Sequence, residues 1–286
     1  MAMTRGGYEL GATQQALTEG VRRYYDRQQS DRNLLLGGES GIVNHHFGIG
    51  DFDRRVELED LSQEQIAGEL HRLEMNQIDA LLAHMGSVGP EQRVLDAGCG
   101  RGGTSFSIAL RTGACVDGVT ISPYQHRFAS ELAERRGLSE RVRFHLMNYL
   151  KLAFPDASFD HVITSESTQY VLEVASLVEG FARVLRPGGR YTCATWCTNE
   201  EFAGSNEYEA PINLHYGTHI NSRSDYLHAM QKYGFGAIEV DDLTELAIPY
   251  WELRCQWQHR SGVELDFLFG HRKRKILYLF ISGTLG

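Results

Sequence analysis

The chain has 286 residues, a formal net charge of −9, 42% hydrophobic and 23% charged residues, which is the composition of a soluble globular protein with room for a large core and one appendage. No apolar run reaches the ~18 residues of a membrane span, and the opening MAMTRGGYELGATQQ lacks the apolar segment of a secretory signal. The one dense basic run, His271 to Lys275, reads as a solvated loop before a late strand, so a cytoplasmic protein with neither membrane nor nucleic acid as partner is expected.

In residues 12–29, Leu17, Val21, Tyr24 and Tyr25 recur at helical spacing and predict an amphipathic helix. Ser30 to Asp53 is rich in Gly and Asn. It contains NHHFGIG (44–50), a mixture of His, Phe and Ile that suits an ordered loop over a site. Ser62 to Met85 reads as a long helix with Leu70, Leu73, Ile78, Leu81 and Leu82 as its buried stripe. Ser62 and Gln65 form a capping box, and Gly86 is the stop. Residues 1–90 are therefore expected to form a helical cap with a substrate loop.

From Arg93 onward strands and helices alternate, which predicts a mainly parallel sheet. Strands are expected at 93–97, 114–119, 141–146, 159–164, 189–196, 236–242 and 275–283. Helices are expected at 103–111, 122–136, 174–185, 222–233 and 250–261. The turn Arg186-Pro187-Gly188-Gly189 ends one helix and opens a strand, and 197–221 is a polar and aromatic insertion in a domain covering 91–286. The five cysteines are odd in number and read as free thiols of a reducing compartment. Cys193 and Cys197 lack a second pair, so no residue is assigned to a metal.

In an open α/β sheet ligands sit beyond the carboxyl ends of the strands. The first of these ends, RVLDAGCGRGGT (93–104), passes from a strand through Asp96 into a turn with Gly98, Gly100, Gly102 and Gly103. A dinucleotide site would show GxGxxG and an acid about 20 residues later. The observed pattern resembles motif I of the S-adenosylmethionine (SAM)-dependent methyltransferases, with a class I, Rossmann-like fold, and SAM is the expected cofactor. The LRPGGR turn (185–190) recurs in the same class. Thr120 stands where most such enzymes place an acid for the ribose, with Gln125 one turn further on. Asn148 and Tyr149 fall at the adenine position, although Tyr149 reads equally well as a core aromatic.

After the fourth strand comes Ser165-Glu166-Ser167-Thr168-Gln169-Tyr170. A carboxylate at a strand end facing a crevice is costly to bury without a role. Methylating an alkene carbon produces a carbocation that must lose a proton, and Glu166 suits that general base. Aromatic faces would stabilise the cation, with Tyr25, Phe47, Tyr170, Trp196, Tyr216 and Trp251 as candidates. The alternative for Glu166 is a helix cap or a structural pair with an Arg.

The chain resembles the bacterial geranyl diphosphate C-methyltransferases over about residues 20 to 260, a family related to sterol methyltransferases and cyclopropane fatty acid synthases. The resemblance rests on NHHFGIG (44–50), ELHRLE (69–74), DAGCGRGG (96–103), ESTQYV (166–171), INLHY (212–216), NSRSDYLHAM (221–230) and PYWELR (249–254). It implies methylation of C2 of the prenyl chain, a tertiary cation, deprotonation by Glu166, Mg²⁺ on the substrate diphosphate, and a homo-oligomer. It makes Asn33, His45, His46 and Arg72 polar contacts, although the His pair suits a loop-stabilising role equally. Asn213 is expected among the substrate contacts, Ser165 at the cofactor, and residues 12–29 are expected to close over SAM with Tyr24 or Tyr25 at its carboxylate. Two residues depart from the family pattern: Leu35 stands for an arginine facing the diphosphate, and Thr198 for a tryptophan. Losing a phosphate clamp is not conservative. The substrate is thus either geranyl diphosphate or a prenyl group already attached to a natural product such as an indole alkaloid, the latter without Mg²⁺ and open to cyclisation. An oxygen or nitrogen methyltransferase, or a SAM-binding module without catalysis, are the competing readings.

Overall fold

The computed structural model describes residues 13–27, 32–36, 41–52 and 57–286. The parts of the expected cap at 1–12, 28–31, 37–40 and 53–56 lie outside the described residues. Two helices precede the sheet, α1 (Gln14–Arg27) and α2 (Gln63–Met85). The capping box of α2 is present: the Gln65 amide donates to Ser62 Oγ at 3.2 Å, and the Ser62 amide donates to Gln65 Oε1 at 2.9 Å. Gly86 closes the helix at φ +79°, a value that favours glycine.

The elements then run β1 (Arg93–Ala97), α3 (Gly103–Thr112), β2 (Cys115–Thr120), α4 (Pro123–Arg135), β3 (Val142–Leu146), β4 (Phe159–Ser165), α5 (Val174–Val184) and β5 (Leu185–Thr198). They continue with α6 (Glu209–Tyr216), α7 (Arg223–Lys232), β6 (Phe235–Asp242), α8 (Thr244–Gln256), α9 (Glu264–Arg272) and β7 (Ile276–Leu285). Among the described residues the sheet has seven strands in the order β3-β2-β1-β4-β5-β7-β6, with β7 antiparallel to both its neighbours. The order reverses between β1 and β4, and Asp96 pairs with Ile163 there. Their carboxyl ends therefore open the crevice in which α/β sheets bind ligands.

Helices cover both faces, so the central strands are apolar almost continuously rather than alternately. Residues 276–281, ILYLFI, are all buried. One core joins α2, α3, α8 and α9 to the sheet, and a second joins α5 and α7 to the opposite face.

Four local expectations need correction. The helix expected at 250–261 is α8, which starts at Thr244 and ends at Gln256. Pro249 suggests a helix start but lies inside the helix, where tertiary packing outweighs its missing amide. A further helix, α9, fills what read as a loop, with Phe267, Leu268 and His271 buried. The 197–221 insertion contains α6, and β5 begins at Leu185 rather than 189, carrying the positive-φ Gly188 as an irregularity within the strand. The remaining strands start and end within two residues of expectation.

Candidate active site

At the carboxyl end of β1 the chain turns through Gly98 and Gly102 at φ +92° and +86°. A Cβ on Gly98 would lie 2.4 Å from Ser167 Cβ, and one on Gly103 would lie 2.4 Å from the Val43 carbonyl oxygen. Close approach of the 43–52 loop and of the chain after β4 therefore requires glycine at these positions. Asp96 is buried beneath the turn and accepts from Ser105 Oγ at 2.6 Å; burial pushes its carboxyl up to about 6.

These elements border a cleft of about 860 Å³ lined by Asp96, Gly98, Gly100, Thr120, Gln125, Asn148, Tyr149 and Ser165. Thr120 donates its hydroxyl to Gln125 Oε1 at 2.9 Å, and Gln125 Nε2 lies toward Gly100. Asn148 Oδ1 accepts from the Leu150 amide, Tyr149 donates to the Ser167 carbonyl at 2.8 Å, and Ser165 Oγ accepts from Gln77. The wall opposite comes from α1, through Thr18, Val21 and Tyr25. An acid beneath a glycine turn, a hydroxyl–amide pair after β2 and an aromatic after β3 fit the amino-acid, ribose and adenine parts of SAM.

A second cavity of about 720 Å³ adjoins the first. Tyr25, His45, His46, Glu166 and Tyr170 line both. Asn33, Phe47, Trp196, Tyr216, Trp251 and Tyr24 line the second alone. Its aromatic wall centres on Phe47, which stacks on Trp196 at 4.7 Å between centroids and meets Trp251 edge-on at 4.5 Å. Behind them Trp251 stacks on Phe267 at 4.3 Å. Tyr25 and Tyr170 join their hydroxyls at 2.5 Å across the boundary of the two cavities.

Glu166 stands on that boundary, immediately after β4. Its φ of +50° is unusual for a residue with a side chain and costs about 1 kcal/mol. Its amide is held by the Ala194 carbonyl at 2.8 Å. Oε1 accepts from the Phe47 amide at 2.6 Å and from the Tyr278 hydroxyl at 2.7 Å, whereas Oε2 is buried with no protein partner. Burial pushes the carboxyl up to about 8, aided by the nearby charge of Glu74 and opposed by the two hydrogen bonds. His46 is also buried. Its Nδ1 bonds the Phe47 carbonyl at 3.0 Å, and burial lowers its pKa to about 4, so the ring is neutral with Nε2 unpartnered.

Not every expected contact reaches a cavity. Asn213 accepts from Thr218 at 2.9 Å and lines neither one; it serves the end of α6. Arg72 lies outside, bound to Glu69 and to the Asp51 carbonyl. Leu35 is 57% exposed, and Thr198 bonds Glu209 and Asn206, so neither departure from the family pattern lines the cavities. Sequence reasoning missed His215, Tyr250, Arg254 and Ser261, all on the second cavity, and Tyr278, which binds Glu166. Arg254 is buried 3.7 Å from Glu264 and over the rings of Tyr250 and Trp257. The arginine of the quoted motif PYWELR was the available signal for it.

The fold and the cleft define a class I SAM-dependent methyltransferase, and residues 95–193 match the methyltransferase domain family. The geranyl diphosphate 2-C-methyltransferase of Saccharopolyspora erythraea is 38% identical over 98% of this chain and 99% of its own length. That of Streptomyces coelicolor is 35% identical over 92% of this chain and 91% of its own. A crystal structure of the Streptomyces coelicolor A3(2) enzyme with Mg²⁺, geranyl-S-thiolodiphosphate and S-adenosyl-L-homocysteine superposes with a TM-score of 0.90 at 33% identity, covering 94% of this chain and 98% of that one. The chain belongs to the geranyl diphosphate 2-C-methyltransferase family.

Proposed function

We propose that this enzyme methylates C2 of geranyl diphosphate and that Glu166 is the base that completes the reaction. When bound, SAM supplies an electrophilic methyl group on a positively charged sulfur. Asp96 and the glycine turn hold its amino-acid end, Thr120 and Gln125 its ribose, and Asn148 and Tyr149 its adenine. The aromatic wall of Phe47, Trp196 and Trp251 lays the prenyl chain beside the boundary with the cofactor cleft. The C2–C3 π electrons form the new carbon–carbon bond, which leaves a tertiary cation at C3. The aromatic faces stabilise that charge while water is kept out. Glu166 Oε2 then takes the proton from C2, and the C–H electrons restore the double bond.

Arg254, His215, Ser261 and Asn33, polar residues that line the second cavity, would take the diphosphate. Among the described residues no group of three or more His, Cys, Asp or Glu is placed to hold a metal. Mg²⁺ would arrive on the diphosphate oxygens. Among the described residues, α1, the 43–52 loop and α2 act as the cap over the site. No described helix is long and apolar enough to cross a membrane, and we propose a cytoplasmic homo-oligomer.

The observation that carries this reading is the unpartnered, buried Oε2 of Glu166 on the boundary of the two cavities. Its test is mass spectrometry of products from the protein, SAM and geranyl diphosphate, beside the Glu166→Gln variant. A gain of one methylene with the wild type, lost in a variant that still binds SAM, is expected. Full turnover by the variant would remove Glu166 from the role of base. Leucine at position 35, where the family pattern has an arginine, offers no phosphate clamp from that segment and favours a second reading, a prenyl group already joined to a natural product. SAM binding without any product from geranyl diphosphate would turn the assignment to it.

A further inference from the structure

A carboxyl with one oxygen buried and unpartnered is stable in the neutral form, because an isolated charge in such surroundings is strongly disfavoured. Among the described residues, the groups that act on Glu166 include no counter-charge. From α2 come Glu74 and Gln77, from β7 Tyr278, and from the 43–52 loop the Phe47 amide and a neutral His46. Tyr250 on α8 and Tyr170 after β4 are phenols held neutral by burial. Arg254, the nearby cation on α8, is engaged with Glu264. A neutral acid is a far weaker base than its carboxylate, so the resting site holds its base in the wrong state for the reaction.

We propose that the sulfonium charge of SAM, entering the cleft that Glu166 borders, drives this carboxyl to release its proton to solvent, so that the base is armed only in the cofactor complex. The step is a binding linkage: an O–H bond of Glu166 breaks, the proton leaves to buffer, and the carboxylate pairs electrostatically with the sulfonium. S-adenosylhomocysteine lacks that charge and leaves the acid neutral, so the spent cofactor also disarms the base. With its pKa pushed up to about 8, Glu166 is mostly protonated in the free enzyme at pH 7. The inference rests on the reading of this cleft as the SAM site and of Glu166 as the base.

The test is isothermal titration at pH 7 with SAM and with S-adenosylhomocysteine, repeated in buffers of different ionisation enthalpy to count protons. The wild type is expected to release more protons, up to about one, with SAM than with S-adenosylhomocysteine. In Glu166→Gln this excess should vanish, and the comparison between proteins cancels any ionisation of the ligands themselves. In Glu74→Gln it should persist. Independently of any variant, SAM affinity of the wild type should tighten up to tenfold per pH unit between pH 6 and 8, with no such gain for S-adenosylhomocysteine. Equal proton counts for the two ligands, or an excess that survives in Glu166→Gln, would overturn the proposal while leaving the SAM site standing. Absence of SAM binding would overturn both, and turnover by Glu166→Gln would remove the base assignment alone.

Discussion

Tyr278→Phe isolates the support given to Glu166 from the shape of the wall. Tyr278 is fully buried on β7, and its hydroxyl is 2.7 Å from Glu166 Oε1, with Gln77 Nε2 3.4 Å away on the same oxygen. The substitution removes that oxygen but keeps the ring tilted against Phe47 at 5.9 Å. Gln77 retains its bond to Ser165 at 3.1 Å. A hydrogen bond to a charged acceptor contributes about 1.5–3 kcal/mol. The lost donor favoured the carboxylate, so its removal makes Glu166 hold its proton to higher pH. At about 1.4 kcal/mol per decade, the acid limb of the kcat profile should move up by about one to two pH units. Turnover on the acid side of that limb should then fall about 10- to 100-fold and recover as the pH rises. The assay is the pH dependence of methyl transfer under saturating SAM and prenyl substrate. A uniform loss at every pH, with the limb unmoved, would show that the phenol acts only through packing and would refute the reasoning.

Burial pushes Glu74 and Glu166 up to about 8 and Asp96 to about 6, so each stabilises the fold fully below its ordinary pKa and loses that contribution as pH rises through the raised value. His46 and His271, lowered to about 4 by burial, act in the opposite sense below about 6.5. Stability of the free protein should therefore decline from pH 6.5 to about 8 by on the order of 1 kcal/mol per pH unit for each of Glu74 and Glu166, the share of Asp96 being lost already below about pH 6; a melting temperature that climbs over this range would contradict it. Gln14→Ala deletes the two bonds that tie α1 to the chain after β4, from Nε2 to the Tyr170 carbonyl at 2.9 Å and from the Leu172 amide at 2.8 Å. At about 0.5–1.5 kcal/mol each, SAM dissociation constants should rise about 5- to 100-fold, and an unchanged constant would exclude a closing role for α1. Phe47→Leu keeps the amide that bonds Glu166 but removes the stacked face. Turnover should fall about tenfold with little change in SAM affinity, consistent with a cation–π contribution of about 0.5–2 kcal/mol; unaltered turnover would mean that the ring only fills space.

The sheet could be read from the chain because each central strand is a short apolar run bounded by turn residues, and those boundaries place Asp96, Thr120 and Glu166 at carboxyl ends. The rest of the site depends on side chains brought in from helices and antiparallel strands. Tyr278 sits in ILYLFI, which reads as core, and nothing local shows that its hydroxyl meets a carboxylate 112 residues earlier. A phenol inside a fully buried strand nevertheless requires a partner, and that was the usable signal. Asn213 failed in the opposite way. A short helix with a left-handed end at Gly217 uses its amide locally, and motif membership alone did not separate that use from substrate contact. Pro249 masked the start of α8 for a similar reason, because contacts with α2 and α9 override a local preference.

What places the base is a chain of backbone constraints rather than the β4 strand alone. The Ile49 amide donates to the Leu73 carbonyl at 3.0 Å, and Asn76 returns a bond to the Ile49 carbonyl at 3.0 Å, so the 43–52 loop is fastened along α2. Gly48 permits this, since a Cβ there would lie 2.5 Å from Leu73 Cβ. The fastened loop delivers two things at once: the ring of Phe47 to the aromatic wall, and the Phe47 amide to Glu166 Oε1. With Tyr278 on the same oxygen, both donors hold one side of the carboxyl and leave Oε2 to the boundary where a proton must be removed. The left-handed backbone at Glu166 is then understandable. An ordinary extended residue would continue β4 and send its side chain along the alternation of the sheet, whereas the reversal turns the carboxyl into the crevice. Two hydrogen bonds to Oε1 offset a strain of about 1 kcal/mol. A loop that failed to close would lose the cation-stabilising face and the orientation of the base together, so the surface that protects the carbocation also orients the group that ends it.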